Sequence, residues 1–244
     1  MFGRLGPYVL TRFNVQEAEV APGAHVEVFV DTLALWQRPE STFARSIEAS
    51  RDFLKTVVAA YSVRTGVALD FSFAGWVEAT DAEFTGTVIG VAVDQGHHHP
   101  ARRRMEPNAR RNVDMAAAIK LAAAVQHRGG WRLALRDVYA AHRALLDDSD
   151  DCFVFAYRAI EDLAHAVSTG KRKSWPQLQA HLGTNERGLR RRTDPIMKAR
   201  NAAAHGDETD SDLVAARANR PQLVRRGRRI VRDAIAAAPF LPTT

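Results

Sequence analysis

Apolar and polar positions alternate over Val26-Glu27-Val28-Phe29-Val30, the period-two mark of a strand. The pattern then changes to helical spacing: Ser41 or Thr42 can cap a long helix carrying Ile47, Phe53, Leu54, Val57, Val58 and Tyr61, with Gly66 at its end. Two more strand patterns follow, Leu69 to Ala79 and Thr85 to Val93. Between Asp94 and Pro107 periodicity is lost amid Gly96, three histidines, Pro100 and three arginines, which marks a loop or linker. From Asn108 onward the spacing is helical. It predicts helices over 113–125 and 131–146, a third capped by Ser149 or Asp150, and a short one from Ser174 to Leu182 before Gly183. Asp194-Pro195 is expected to open a helix closed by Gly206, and Pro221 to open the last one, which runs to Ala238.

The expected fold class is therefore α+β, a mixed strand and helix module followed by an all-α bundle. The expected domains are 1–96, a basic, His-rich linker at 97–107, and a helical domain at 108–244 with its core at about 131–238.

The 244 residues, 46% hydrophobic and 25% charged, suit one large or two modest globular domains. No apolar run reaches the roughly 18 residues of a membrane span. The first residues lack the apolar segment and cleavage site of a secretory signal, so the expected location is cytoplasmic, without a membrane partner. One cysteine, Cys152, allows no internal disulfide, and among Phe153, Val154 and Phe155 it reads as a buried apolar residue. His97-His98-His99 invites a metal, but adjacent histidines on a loop converge poorly on one ion; no metal or other cofactor is expected.

Charge adds more. The excess is 34 basic over 28 acidic residues, and arginines cluster at 102–104, 110–111, 187–192 and 225–232. Such local fields attract polyanions, although a solvated helix face has the same composition. Arg190, Arg191 and Arg192 are the candidate RNA backbone contacts. No helix-turn-helix pair emerges, which argues against a sequence-specific DNA reader.

The chemistry concentrates in Ala199-Arg200-Asn201-Ala202-Ala203-Ala204-His205-Gly206. Arg200 can hold a phosphate through paired hydrogen bonds, and His205 can move a proton near neutral pH. On a helix Asn201 and His205 share a face, whereas Arg200 lies about 140° round from His205. The same spacing also fits a histidine that merely neutralises a helix C-terminus.

An Arg-Asn-x-x-x-His turn ending the penultimate main helix of a bundle resembles the HEPN superfamily, whose motif is Arg, four to six residues, then His. The segment Phe155-Ala156-Tyr157-Arg158-Ala159-Ile160-Glu161-Asp162-Leu163 is similar to that family's second helix, and the resemblance covers about 131–238. It implies a metal-independent endoribonuclease using the 2′-hydroxyl as nucleophile. Catalytic residues would be Arg200, His205 and Asn201, with Glu161 in support and Asp162 as a competitor for that role. It also implies a homodimer pairing two Arg200–His205 helices, with the small Ala202 to Ala204 letting them approach. Similar proteins act as defence or stress effectors and toxins, so a regulator or antitoxin is a further expected partner. The alternative is a non-catalytic dimeric scaffold or an RNA- or nucleotide-binding module.

Overall fold

The computed structural model describes residues 13–21, 24–30, 32–37, 47–81, 84–95, 108–170, 172–205 and 210–239. The expected linker at 97–107 and the closing Gly206 lie outside them. The chain divides into two compact units, residues 1–61 with 67–123, and residues 62–66 with 124–244.

In the first unit the backbone of five extended segments pairs antiparallel in the order β1-β2-β3-β5-β4. They are β1 (Phe13–Ala21), β2 (Ala24–Val30), β3 (Thr32–Gln37), β4 (Leu69–Asp81) and β5 (Phe84–Gln95). Helix α1 (Ile47–Thr65) links β3 to β4, and α2 is Asn108–Val125. Between Phe53 and Val63 the side chains of α1 are almost all buried, the polar Thr56 and Ser62 among them. Helix α2 buries Met115, Ala118, Ile119 and Ala122, a stripe at helical spacing.

The α+β expectation is corrected here. The part of the chain in which side chains as well as backbone are placed is 80% helical and contains no complete strand or sheet. Its architecture is all-helical. Alternation shows only that a segment could carry two unlike faces, whereas a fold class is set by the faces that pack. Among the residues whose burial is described, the packed faces are mainly those of helices, with Val26, Leu35 and Leu69 the buried residues of the extended segments.

The second unit is a helical bundle of α3 (Gly129–Leu146), α4 (Asp151–Ala166), α5 (Trp175–His181), α6 (Glu186–His205), α7 (Ser211–Ala218) and α8 (Arg220–Ala236). Helix α4 is its centre, packed against α3, α5, α6 and α8. It buries Cys152, Phe153, Ala156, Ala159, Ile160, Leu163 and Ala164, a stripe wide enough to meet several neighbours. Gly130 lets α3 start close to α4, since a Cβ there would stand 2.8 Å from the Ala166 Cβ. Gly66 follows α1 at φ +71°, which glycine adopts without steric cost.

Capping departs from expectation at two places. Asp150 stands at the N-cap of α4 but makes no side-chain cap bond. Its carboxylate accepts instead from Arg217 and Arg220, each at 2.6 Å, and the Arg217 bond above all holds its pKa below the ordinary value. Ser149 Oγ accepts from the Asp151 amide at 3.2 Å. Secondly, α6 does not open at Asp194-Pro195 but begins at Glu186 and carries Pro195 inside. Leu189, Thr193, Ile196, Ala199 and Ala202 form one buried stripe across the proline, and that burial outweighs the local break. Pro195 lacks the N–H that would reach the Arg191 carbonyl four residues back. Arg226 Nη1 of α8 donates to that carbonyl at 3.2 Å.

Candidate functional site

The motif residues occupy the last turns of α6, which packs on α4 and buries Ile196, Ala199 and Ala202. Arg200 is half-buried, and Asn201 and His205 are exposed. Arg200 Nη1 donates to Asn201 Oδ1 at 2.9 Å, and the guanidinium carbon lies 5.8 Å from the centre of the Tyr157 ring on α4. Asn201 precedes His205 by one turn on the same side of the helix. Its bond therefore draws the guanidinium from the α4 side of α6 toward the side that carries His205. Among the described residues one of its five guanidinium N–H groups is used, in this bond, which leaves donors for a phosphate.

Tyr157 joins α4 to this turn, a neighbour the motif did not indicate. Its ring lies 6.4 Å from that of Trp175, tilted by 33°. Burial, and after it the charge of Glu161, raises the pKa of its hydroxyl. It stays protonated at neutral pH, so it serves as a neutral donor or a surface for the guanidinium. Its only sequence signal was its place on the apolar-aromatic face of α4.

Glu161, expected to support Arg200 or His205, is ion-paired with Lys173 in the connection between α4 and α5. Lys173 Nζ also lies 6.0 Å from the Trp175 ring centre. The carboxylate therefore closes the α4–α5 corner instead of orienting the motif. Asp162, its competitor, is also turned elsewhere. It lies beside Asp137 of α3, and burial, followed by the Asp137 charge, pushes its pKa up to about 7. Asp137 is 5% exposed and takes both Nε and Nη2 of Arg158, the latter at 2.6 Å. This acid–acid–arginine cluster ties α3 to α4. Spacing alone concealed it, because the partners come from different helices.

The three arginines upstream diverge, since successive residues point about 100° apart on a helix. Arg190 pairs with Glu186 at 2.7 Å, both side chains largely in solvent. Arg192 is half-buried and bonded to Asp233 of α8. Arg191 is exposed, and only its carbonyl is bonded to α8. Arg190–Arg192 is therefore no single RNA-contacting face.

Cys152 is fully buried, and burial raises its thiol pKa to about 12, so it offers no thiolate. Among the described residues no group of three or more His, Cys, Asp or Glu side chains is arranged to hold a metal ion, and His97–His99 lie outside them. No helix of the described residues is long and apolar enough to cross a membrane. Comparison with protein-family models, with curated proteins and with solved structures finds no match.

Proposed function

We propose that the chain is a metal-independent endoribonuclease of HEPN type that works as a homodimer. The observation that carries this is the Arg200–Asn201 bond beside an exposed His205 at one end of α6. A half-buried phosphate clamp and an exposed proton carrier thus stand together at the end of α6, each with bonding capacity unused among the described residues. In a two-fold pairing of this turn, His205 of one copy removes the 2′-hydroxyl proton and the 2′-oxygen attacks phosphorus. The 5′-oxygen leaves and takes its proton from the partner's His205. The two Arg200 groups neutralise the charge that builds on the phosphorane oxygens. Arg200 is held ready by Asn201 and Tyr157, which lowers the ordering cost of binding a phosphate.

The test is cleavage of a single-stranded RNA by the full chain in EDTA, with analysis of fragment ends. Fragments should end in a 2′,3′-cyclic phosphate, and both Arg200→Ala and His205→Ala should abolish them. Cleavage that needs a divalent ion, or survives both substitutions, refutes the proposal. A second reading, a non-catalytic dimeric scaffold, draws on the contact of Arg200 with Tyr157. It predicts intact RNA together with loss of the dimer in Arg200→Ala, read by sedimentation.

A further inference from the structure

One side of α6 is a continuous polar stripe. Arg187, Arg191, Asp194, Lys198, Asn201 and His205 follow one another at intervals of four, three, four, three and four residues, so they line up along the helix. All but the half-buried Asp194 are exposed. Five helical turns, about 27 Å at 1.5 Å per residue, separate Arg187 from His205. The basic residues of this line are spared the ion pairs that engage their neighbours. Among the described residues Arg190 and Arg192 have acidic partners, whereas Arg187, Arg191 and Lys198 have none.

Helix α8 extends the field sideways. Arg226 reaches the backbone of Arg191, which fixes α8 at the flank of the stripe. Arg225 and Arg229, one turn apart, are exposed on α8, also without an acidic partner among the described residues. The opposite face of α8 is spent on the core through Leu223, Gly227, Ile230, Val231 and Ala234. The sequence cluster at 225–232 is thus split by the fold into a packing side and a charged side.

We infer that the α6 stripe from Arg187 to Lys198, flanked by Arg225 and Arg229 of α8, is a phosphate track that leads a single-stranded nucleic acid to the Arg200–His205 turn. This rests on the reading that the turn acts on RNA, which supplies the direction of the track. The occupant follows from charge complementarity: five cations without an acidic partner among the described residues, along two adjacent helices, suit a regular polyanion. The track offers charge but no 2′-hydroxyl contact, so it holds RNA and DNA strands alike and leaves discrimination to the cleavage step.

The experiment measures binding of a fluorescein-labelled single-stranded RNA to the full chain by anisotropy at several salt concentrations. His205→Ala is the background, so binding is read apart from cutting. The combination Arg187→Gln, Arg191→Gln and Lys198→Gln should weaken binding about tenfold and lower the log–log salt slope by about 2, near 0.7 per lost contact. Arg225→Gln with Arg229→Gln should lower it by about 1.4. Lys55→Gln, Lys120→Gln and Arg172→Gln remove the same charge elsewhere and should leave the slope within about 0.5 of its original value. Equal losses in the track and control variants, or none in the track variants, overturn the inference. A preference above about tenfold for RNA over DNA of the same sequence also overturns it. A chain that binds as described but never cuts RNA refutes only the nuclease reading. One that cuts, yet binds equally well without the three cations, refutes only the track.

Discussion

Asp137, Arg158 and Asp162 meet between α3 and α4, while Arg200, Asn201 and His205 stand at the end of α6. Both groups combine an arginine with polar partners, drawn from two helices in the first and from one in the second. In the first, the arginine is taken by two oxygens of a buried carboxylate, and the shifted acid lies beside another acid. In the second, the arginine makes one hydrogen bond among the described residues, to a neutral amide, and the histidine is exposed. A strongly perturbed pKa would single out the α3–α4 cluster as the active site. Its groups, however, satisfy one another and hold two helices together. On the proposed reading spare bonding capacity is the better guide, and among the described residues it belongs to the α6 turn.

The largest expected effect breaks this comparison where function is assigned. Arg200→Ala or His205→Ala should each reduce RNA cleavage about 1000-fold, measured by gel assay in EDTA, with stability changed by less than about 0.5 kcal/mol. A loss of cleavage that merely follows unfolding would remove the distinction between the two groups. Next, Asp137→Ala leaves the Arg158 charge and the Asp162 carboxyl without their partner. Urea unfolding followed by circular dichroism should show a loss of about 2–3 kcal/mol, below the full cost of breaking a buried pair because Arg158 is half in solvent.

A third test uses pH. The folded pKa of Asp162 is raised from the ordinary 3.8 to about 7, so its protonated form is favoured in the native state. That stabilisation is complete below the unfolded value and is lost as pH rises through the folded one. Asp162→Asn should therefore be the more stable protein at pH 8, with the gap closing toward pH 4, by thermal melts of both chains. A gap that widens on acidification contradicts the shared-proton arrangement. The smallest effect is expected of Glu161→Gln. Losing its pair with Lys173 should cost less than about 1 kcal/mol and leave cleavage within about twofold. A loss near that of His205→Ala would return Glu161 to the catalytic group.

How much was legible beforehand depended on whether the determining contacts were local. The helices of the second half follow from the spacing of residues such as Phe153, Ala156, Ile160 and Leu163, and from Ser174, whose hydroxyl does cap α5 by accepting from Gln177 N. Arg200, Asn201 and His205 were readable because their relation lies within five residues. The run of α6 upstream through Pro195 was not, since a local breaker was overruled by burial of Leu189 and Thr193 against other helices. Helix α7 was missed because Ser211 to Ala218 is short and weakly patterned. The partners of Glu161 and Asp162 lie twelve and twenty-five residues away in the chain, where periodicity is silent. The fold class failed for a related reason: alternation in the first hundred residues stood in for packing that only tertiary structure reveals.

Pro195 carries one last consequence. The oxygen it leaves unanswered at Arg191 is met by a side chain from α8, so a single absent hydrogen becomes a bolt between two rods. Were α8 to slip by one turn, the guanidinium would lose its seat and the oxygen its donor. A residue that usually interrupts a helix thereby sets the longitudinal alignment of a pair.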